Sequence, residues 1–181
     1  MSGTPLEAIV AVYAGWGIGE NGTQPLTLKA DRRRFRELTE GAAVIVGRKT
    51  LADFPGGRPL KHRANIVLTR QDITIEGAAV VRSVGEALAE AEKYERAFVI
   101  GGESVYKVFF PHISRIYLTK IDAAPHSDVF FPDLDADPGW YISDPGTPAE
   151  EDGIPYRFMI YARAEVLKSC CRKPEKVVNW L

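Results

Sequence analysis

Residues 97–111, AFVIGGESVYKVFFP, run an unbroken apolar strand into a glycine pair and then into a helical pattern that Pro111 stops. A strand apolar at every position is covered on both faces, as in a parallel sheet flanked by helices. At the Gly101–Gly102 turn, unpaired backbone N–H groups and the positive end of the following helix face outward with no side chains in the way. Such a turn suits a diphosphate. A plain tight turn carries the same signal, and the spacing is neither GxGxxG nor a P-loop.

The same grammar recurs on the N-terminal side. Strands are predicted at 6–13, 42–47, 64–69 and 78–81, with helices at 30–39, 48–53 and 83–94. The last helix opens on Ser83 and Glu86 in capping-box spacing. In the helix at 30–39, Phe35 and Leu38 share one face and the arginines take the others. Beyond Pro111 the pattern changes to runs at 115–121, 140–143 and 156–166. The last alternates Tyr156, Phe158 and Ile160, an antiparallel signature expected at a sheet edge. The expectation is an α/β fold: a mainly parallel sheet with helices on both faces, finished by antiparallel C-terminal strands. One domain over residues 1–166 and a tail over 167–181 are expected.

Composition narrows the functions. The 181 residues carry a formal net charge of −1, which excludes a basic polyelectrolyte surface and with it a general nucleic-acid binder. Cys170 and Cys171 are adjacent, a spacing that suits neither a zinc ribbon nor a long-range staple, so a reducing cytoplasm is expected. The N-terminal apolar run is too short for a membrane span and lacks a basic leader. His62, His112 and His126 are scattered, and no carboxylate pair or nucleophile elbow is present, which argues against hydrolytic and metal chemistry.

In an open α/β sheet, ligands gather at the carboxyl ends of the strands. The loops after the strands at 6–13, 42–47, 64–69 and 97–102 are therefore the places to look. Gly47 leads into Arg48, Lys49 and Thr50, cations set against a helix dipole, and Arg70 ends the next strand. Each alone reads as a solvated surface charge. Together they can meet one phosphate. Asp31, in the first turn of its helix, reads by itself as a dipole partner, although it can also point toward the interior face.

Four segments in order, AIVAVYAGWGIGENGTQPLTLKADRRRFREL (8–38), VIVGRKTLADFPGGRPLKHRANIVLTR (44–70), FVIGGESVYKVFFP (98–111) and RIYLTKIDAAPHSDVFFP (115–132), resemble dihydrofolate reductase. The resemblance runs from about Leu6 to Arg163. It implies a three-layer fold on an eight-stranded mixed sheet, NADPH as hydride donor, and reduction of 7,8-dihydrofolate by a monomer acting on small molecules. Asp31 matches the acid beneath the pterin, supported by Thr119. Ile9, Val10, Phe35, Phe54, Leu60 and Ile100 would wall the substrate, and Arg63, helped by Arg36, would grip its α-carboxylate.

For the cofactor, the resemblance places Ala11, Ile18, Gly19, Ile100 and Tyr106 at the nicotinamide. Gly101 and Gly102 fall at the diphosphate, Arg48, Lys49, Thr50, Thr69 and Arg70 at the cofactor's phosphates, and Gly47, Leu68, Glu103, Ser104 and Val105 elsewhere along the cofactor. The glycines of residues 13–24 read as hinges of a lid. The chain departs from the family pattern at Leu26, where Trp is usual, and at Gln24, Lys29, Glu103 and Ser104. Two rivals stand beside this reading: a pyrimidine reductase of the riboflavin pathway, and a non-catalytic nucleotide-binding module.

Overall fold

The computed structural model describes residues 4–164; the tail at 167–181, with Cys170 and Cys171, and the end of the strand expected at 156–166 lie outside the described residues. Strands β1 (Leu6–Val12), β3 (Ala43–Gly47), β4 (Ala64–Leu68), β5 (Ala78–Val81), β6 (Ala97–Gly101), β7 (Ile113–Ile121) and β11 (Ile154–Arg163) form one sheet. With β10 (Pro148–Glu151) its order is β10-β11-β7-β1-β6-β3-β4-β5, and β9 (Trp140–Asp144) pairs with β11 as well. All pairs from β7 to β5 are parallel, and β11 runs antiparallel to β7, β9 and β10. β11 is therefore not the edge strand its alternation implied. It alternates because its faces differ in cover, while β9 and β10 take the outer positions.

Helices cover both faces because each central strand is apolar at odd and even positions alike. Ile9, Val44, Val46, Val67 and Phe98 point to one side, where Phe35 and Leu38 of α1 (Lys29–Thr39) and Leu51 of α2 (Arg48–Ala52) meet them. Ala8, Val10, Ile45, Ile66 and Val99 point to the other. There they pack on Ala87 and Ala91 of α3 (Val84–Ala91) and on Val105 and Phe109 of α4 (Glu103–Phe109). α3 starts where its capping pattern places it, with the Ser83 hydroxyl accepting the Glu86 N–H at 3.1 Å. It ends three residues before the 94 expected, since Glu92 already closes the last turn as C-cap.

Two short strands are invisible to pattern. β2 (Gly17–Gly19) and β8 (Val129–Phe130) form a separate two-stranded ribbon. A Cβ on Gly17 would lie 2.3 Å from Ser127 Oγ, so this glycine serves close strand approach rather than hinge freedom alone. β10 is equally hidden in sequence, because PAEE carries no strand propensity and pairs only through the Asp152–Gly153 turn.

The ladder between the two central strands is irregular. β1 pairs with β6 over Leu6↔Ala97, Glu7↔Phe98 and Ala8↔Val99 only, yet continues along β7 to Val12↔Lys120. Beyond Ala8 the two strands part. The β3–β6 register also slips between Ile45 and Val46, skipping Ile100.

Phe98 has no exposed surface, lies 5.9 Å from the Tyr117 ring centroid and sits on the strand shared by both halves of the sheet. Phe98→Ala is expected to cost about 3–5 kcal/mol, read as a lower urea midpoint at unchanged m-value.

Candidate active site

The parting of β1 and β6 opens a cleft of about 1490 Å³ along the carboxyl ends of the parallel strands. The Ile9 carbonyl accepts the buried Tyr106 hydroxyl at 2.7 Å. That side chain reaches back from α4 and closes the floor of the gap, and burial pushes its phenol well above the usual tyrosine range.

At one end stands Asp31, the third residue of α1. Its Oδ1 accepts the Thr119 hydroxyl at 2.6 Å. Burial raises the carboxyl above the usual carboxylate range, against the opposing pull of that hydrogen bond and of the Arg34 and Arg32 charges. Arg34 does not enter the cleft. Its Nη1 donates to the Leu118 carbonyl at 3.2 Å, and its guanidinium lies 4.4 Å over the Phe158 ring. Behind Asp31, the fully buried Tyr13 donates its hydroxyl to the Leu26 carbonyl at 2.6 Å and accepts the Leu26 N–H at 3.2 Å.

Along the outer wall Arg63 is held by its own fold. Nε donates to Thr39 Oγ1 at 3.1 Å, Nη1 to the Lys61 carbonyl at 2.7 Å and Nη2 to the Arg36 carbonyl at 3.0 Å. Three of five guanidinium N–H groups are thus engaged, and the remainder can take a carboxylate as a fork. Buried Asn65 staples the loop that carries Leu60 and Arg63, accepting the Leu60 N–H at 2.9 Å and donating to both carbonyls. Sequence reading passed over Asn65; an amide inside the apolar strand at 64–69 was the available signal.

At the other end the Gly101–Gly102 peptide is cis, and Gly101 has φ +123°. A Cβ on Gly102 would lie 2.8 Å from Thr50 Oγ1, so only glycine lets this turn and the start of α2 stand so close. Arg48, Lys49, Thr50, Thr69 and Arg70 line the same end. This cradle of backbone and cations fits a phosphorylated ligand. Glu103 is the dissenting charge, and it is answered locally: its Oε1 accepts Lys107 Nζ at 3.1 Å and the Phe130 N–H at 3.3 Å.

Every residue named from sequence as a site candidate lines this cleft except Thr119, which stands behind Asp31. The inner wall takes Ile9, Val10, Ala11, Ile18 and Gly19; the substrate side takes Phe35, Arg36, Phe54 and Leu60; the turn region takes Gly47, Leu68, Ile100, Ser104 and Val105. Gln24, the departure expected over the nicotinamide, lines it as well, and so do Arg32, Arg82 and Ser83, which were not expected. Arg82 and Ser83 follow β5, whose C-terminal loop belonged among the loops to search by the same strand-end rule.

A family profile described as dihydrofolate reductase matches residues 5–163. The chain is 35% identical over 164 residues to a dihydrofolate reductase of Bacillus subtilis, covering 89% of this chain and 96% of that one. It is 36% identical to a dihydrofolate reductase of Gallus gallus, covering 88% and 96%. Its fold matches that of a dihydrofolate reductase from Enterococcus faecalis complexed with NADP(H) and RAB-propyl, with a TM-score of 0.81, 34% identity, and coverage of 90% and 98%.

An acid whose folded pKa is raised destabilises the folded state in its charged form, so its cost is absent below the unfolded pKa, grows as pH rises from there, and levels off above the folded pKa. Asp31→Asn in the ligand-free protein is therefore expected to raise Tm at pH 8, with the gain vanishing near pH 4, as read by thermal melts across that range.

Proposed function

The chain belongs to the dihydrofolate reductase family, and from that premise we propose how its residues divide the work of an NADPH-dependent oxidoreductase. The enzyme reduces 7,8-dihydrofolate to 5,6,7,8-tetrahydrofolate, adding a hydride at pterin C6 and a proton at N5, and so supplies one-carbon metabolism. When bound, NADPH supplies the hydride. The rest falls to side chains of this chain.

Asp31 serves the pterin. Its carboxylate accepts hydrogen bonds from the 2-amino group and N3, and its raised pKa lets it hold a proton to higher pH than a free carboxylate, for N5 directly or through water. Thr119 fixes the carboxylate's rotation through the 2.6 Å bond. The observation that carries the assignment is this hydroxyl-held, half-buried acid at one end of a cleft whose far end is the glycine-pair cradle. Ile9, Val10, Phe35, Phe54, Leu60 and Ile100 exclude water from the substrate. The two free N–H groups of Arg63 meet the α-carboxylate, with Arg36 adding charge beside it.

On the cofactor side, Ala11, Ile18, Gly19, Ile100 and Tyr106 shape the nicotinamide end. Gly101, Gly102, Glu103, Ser104 and Val105 line the place for the diphosphate, and Gly47, Arg48, Lys49, Thr50, Leu68, Thr69 and Arg70 that for the adenosine end with its phosphate. Holding the nicotinamide against the pterin would be the protein's main contribution to rate. We place this activity in residues up to 166, in the cytoplasm, in a monomer that uses neither nucleic acid nor membrane. Among the described residues no helix is long and apolar enough to cross a bilayer.

Oxidation of NADPH followed at 340 nm with dihydrofolate tests the assignments. Asp31→Asn is expected to lower kcat about 10²–10⁴-fold at neutral pH while leaving NADPH affinity near wild type. Equal losses in both would remove Asp31 from the pterin. Turnover should also fall as pH rises through the Asp31 pKa, since the protonated acid is the proton source. Arg63→Ala is expected to raise the KM for dihydrofolate roughly 10–100-fold with little change in kcat. Turnover of a ribosylated pyrimidine instead, or NADPH binding with no reduction of dihydrofolate, would overturn the reading.

A further inference from the structure

Helix α1 begins without a local cap. Its N-cap residue is Leu28, whose side chain accepts nothing, and Asp31 turns its carboxylate to Thr119 instead of the helix end. The first two N–H groups are satisfied by a residue remote in the chain: Glu151 Oε1 accepts the Lys29 N–H at 2.6 Å and Oε2 accepts the Ala30 N–H at 2.9 Å. One carboxylate thus takes both donors as a fork, 121 and 122 residues away in sequence. Asp31 is the next residue of the chain.

Glu151 is itself held in register. It pairs with Ile154 across a two-residue turn, Asp152 at φ +51° and Gly153 at φ +78°, the left-handed pair of a type I′ hairpin. The returning strand β11 then runs along β7, with Phe158 opposite Thr119. The hairpin that grips the backbone just before Asp31 therefore belongs to the same pleat as the hydroxyl that grips its side chain. Two contacts on one rigid element define where the carboxylate stands.

We propose that Glu151 is a positioning residue for the reduction, clamping the start of α1 so that Asp31 is presented to the pterin at a fixed height and orientation. This rests on the assignment of Asp31 to the pterin. The two acids divide the helix end between them: Glu151 neutralises the dipole on the solvent side, freeing Asp31 to face the cleft. The Lys29 and Ala30 N–H groups hold the Glu151 carboxyl below its ordinary range, so the clamp stays charged at neutral pH. Around the pair stand Lys29 and Arg33 near Glu151, Arg32 and Arg34 on the same helix as Asp31, the phenol of Tyr13 behind Asp31 and that of Tyr106 at the cleft floor.

Loosening the clamp lets water reach Asp31 and removes a negative charge, and both lower the pH at which Asp31 loses its proton. Glu151→Gln and Glu151→Ala, compared with wild type, test this through dihydrofolate kinetics from pH 5 to 10 and through NADPH affinity by fluorescence quenching. The expected losses in kcat/KM for dihydrofolate are about threefold for Gln, which keeps one acceptor oxygen, and about tenfold for Ala. In both variants the pH midpoint of turnover should move down while the Kd for NADPH stays within about twofold. A purely structural role would lower Tm without moving that midpoint. An unmoved midpoint, or an NADPH affinity that falls in step with kcat/KM, overturns the assignment of Glu151; if Ala does not fold, Gln decides. Wild-type protein that fails to turn over dihydrofolate overturns instead the reading on which it rests.

Discussion

The site depends on a ladder that stops. β1 and β6 share three register pairs and then separate, although both strands continue in the sheet. A gap between central strands leaves backbone groups without partners in an apolar interior, a cost of about 1–3 kcal/mol for each buried group. The Tyr106 hydroxyl takes up the Ile9 carbonyl and removes that cost where the gap begins. The cleft therefore persists without a ligand to wedge it, and its two ends are defined by the elements the strands feed: α1 beside β1 and β7, α4 after β6.

At one end of that cleft the protein maintains a half-buried acid against its own electrostatics. Burial drives the Asp31 carboxyl toward neutrality, while the Thr119 hydroxyl and the charges of Arg34 and Arg32 favour ionisation. Arg34 forms no ion pair with the acid: its Nη1 donates to the Leu118 carbonyl and its guanidinium lies over the Phe158 ring. A direct ion pair would pull the pKa down further.

Much of this was legible in the residues. Runs such as AVIVG and AFVIG admit little but doubly covered strands, so the parallel half of the sheet and both helical layers follow from pattern alone. The glycine pair, GRKT, Arg63 and Asp31 are chemically conspicuous at strand and helix ends, and all four line the cleft. What was hidden depends on pairing at long range. β10 has no strand propensity, β2 is three residues of glycine and isoleucine, and the cap on α1 comes from a residue over a hundred positions away. Such contacts leave no local period for a sequence to display. The arginines of α1 illustrate the limit within one helix: the pattern turns all of them away from the apolar face, yet Arg32 and Arg36 line the cleft and Arg34 is partly buried among aromatic rings.

The departure at Leu26 also takes on a physical form. A leucine has no donor and little bulk with which to tie the segment before α1 to the sheet. Both are present one layer inward, at Tyr13, whose ring is fully buried among Ala11, Leu28 and Ile121 and whose hydroxyl engages both backbone groups of Leu26. The phenol is committed in both directions, as donor to a carbonyl and as acceptor from an N–H, and burial holds its pKa above the usual range. It cannot also relay a proton. With an apolar side chain at 26 and the hydroxyl at 13 engaged by Leu26, that flank of Asp31 anchors the segment before the helix, and the open side of the acid is the cleft.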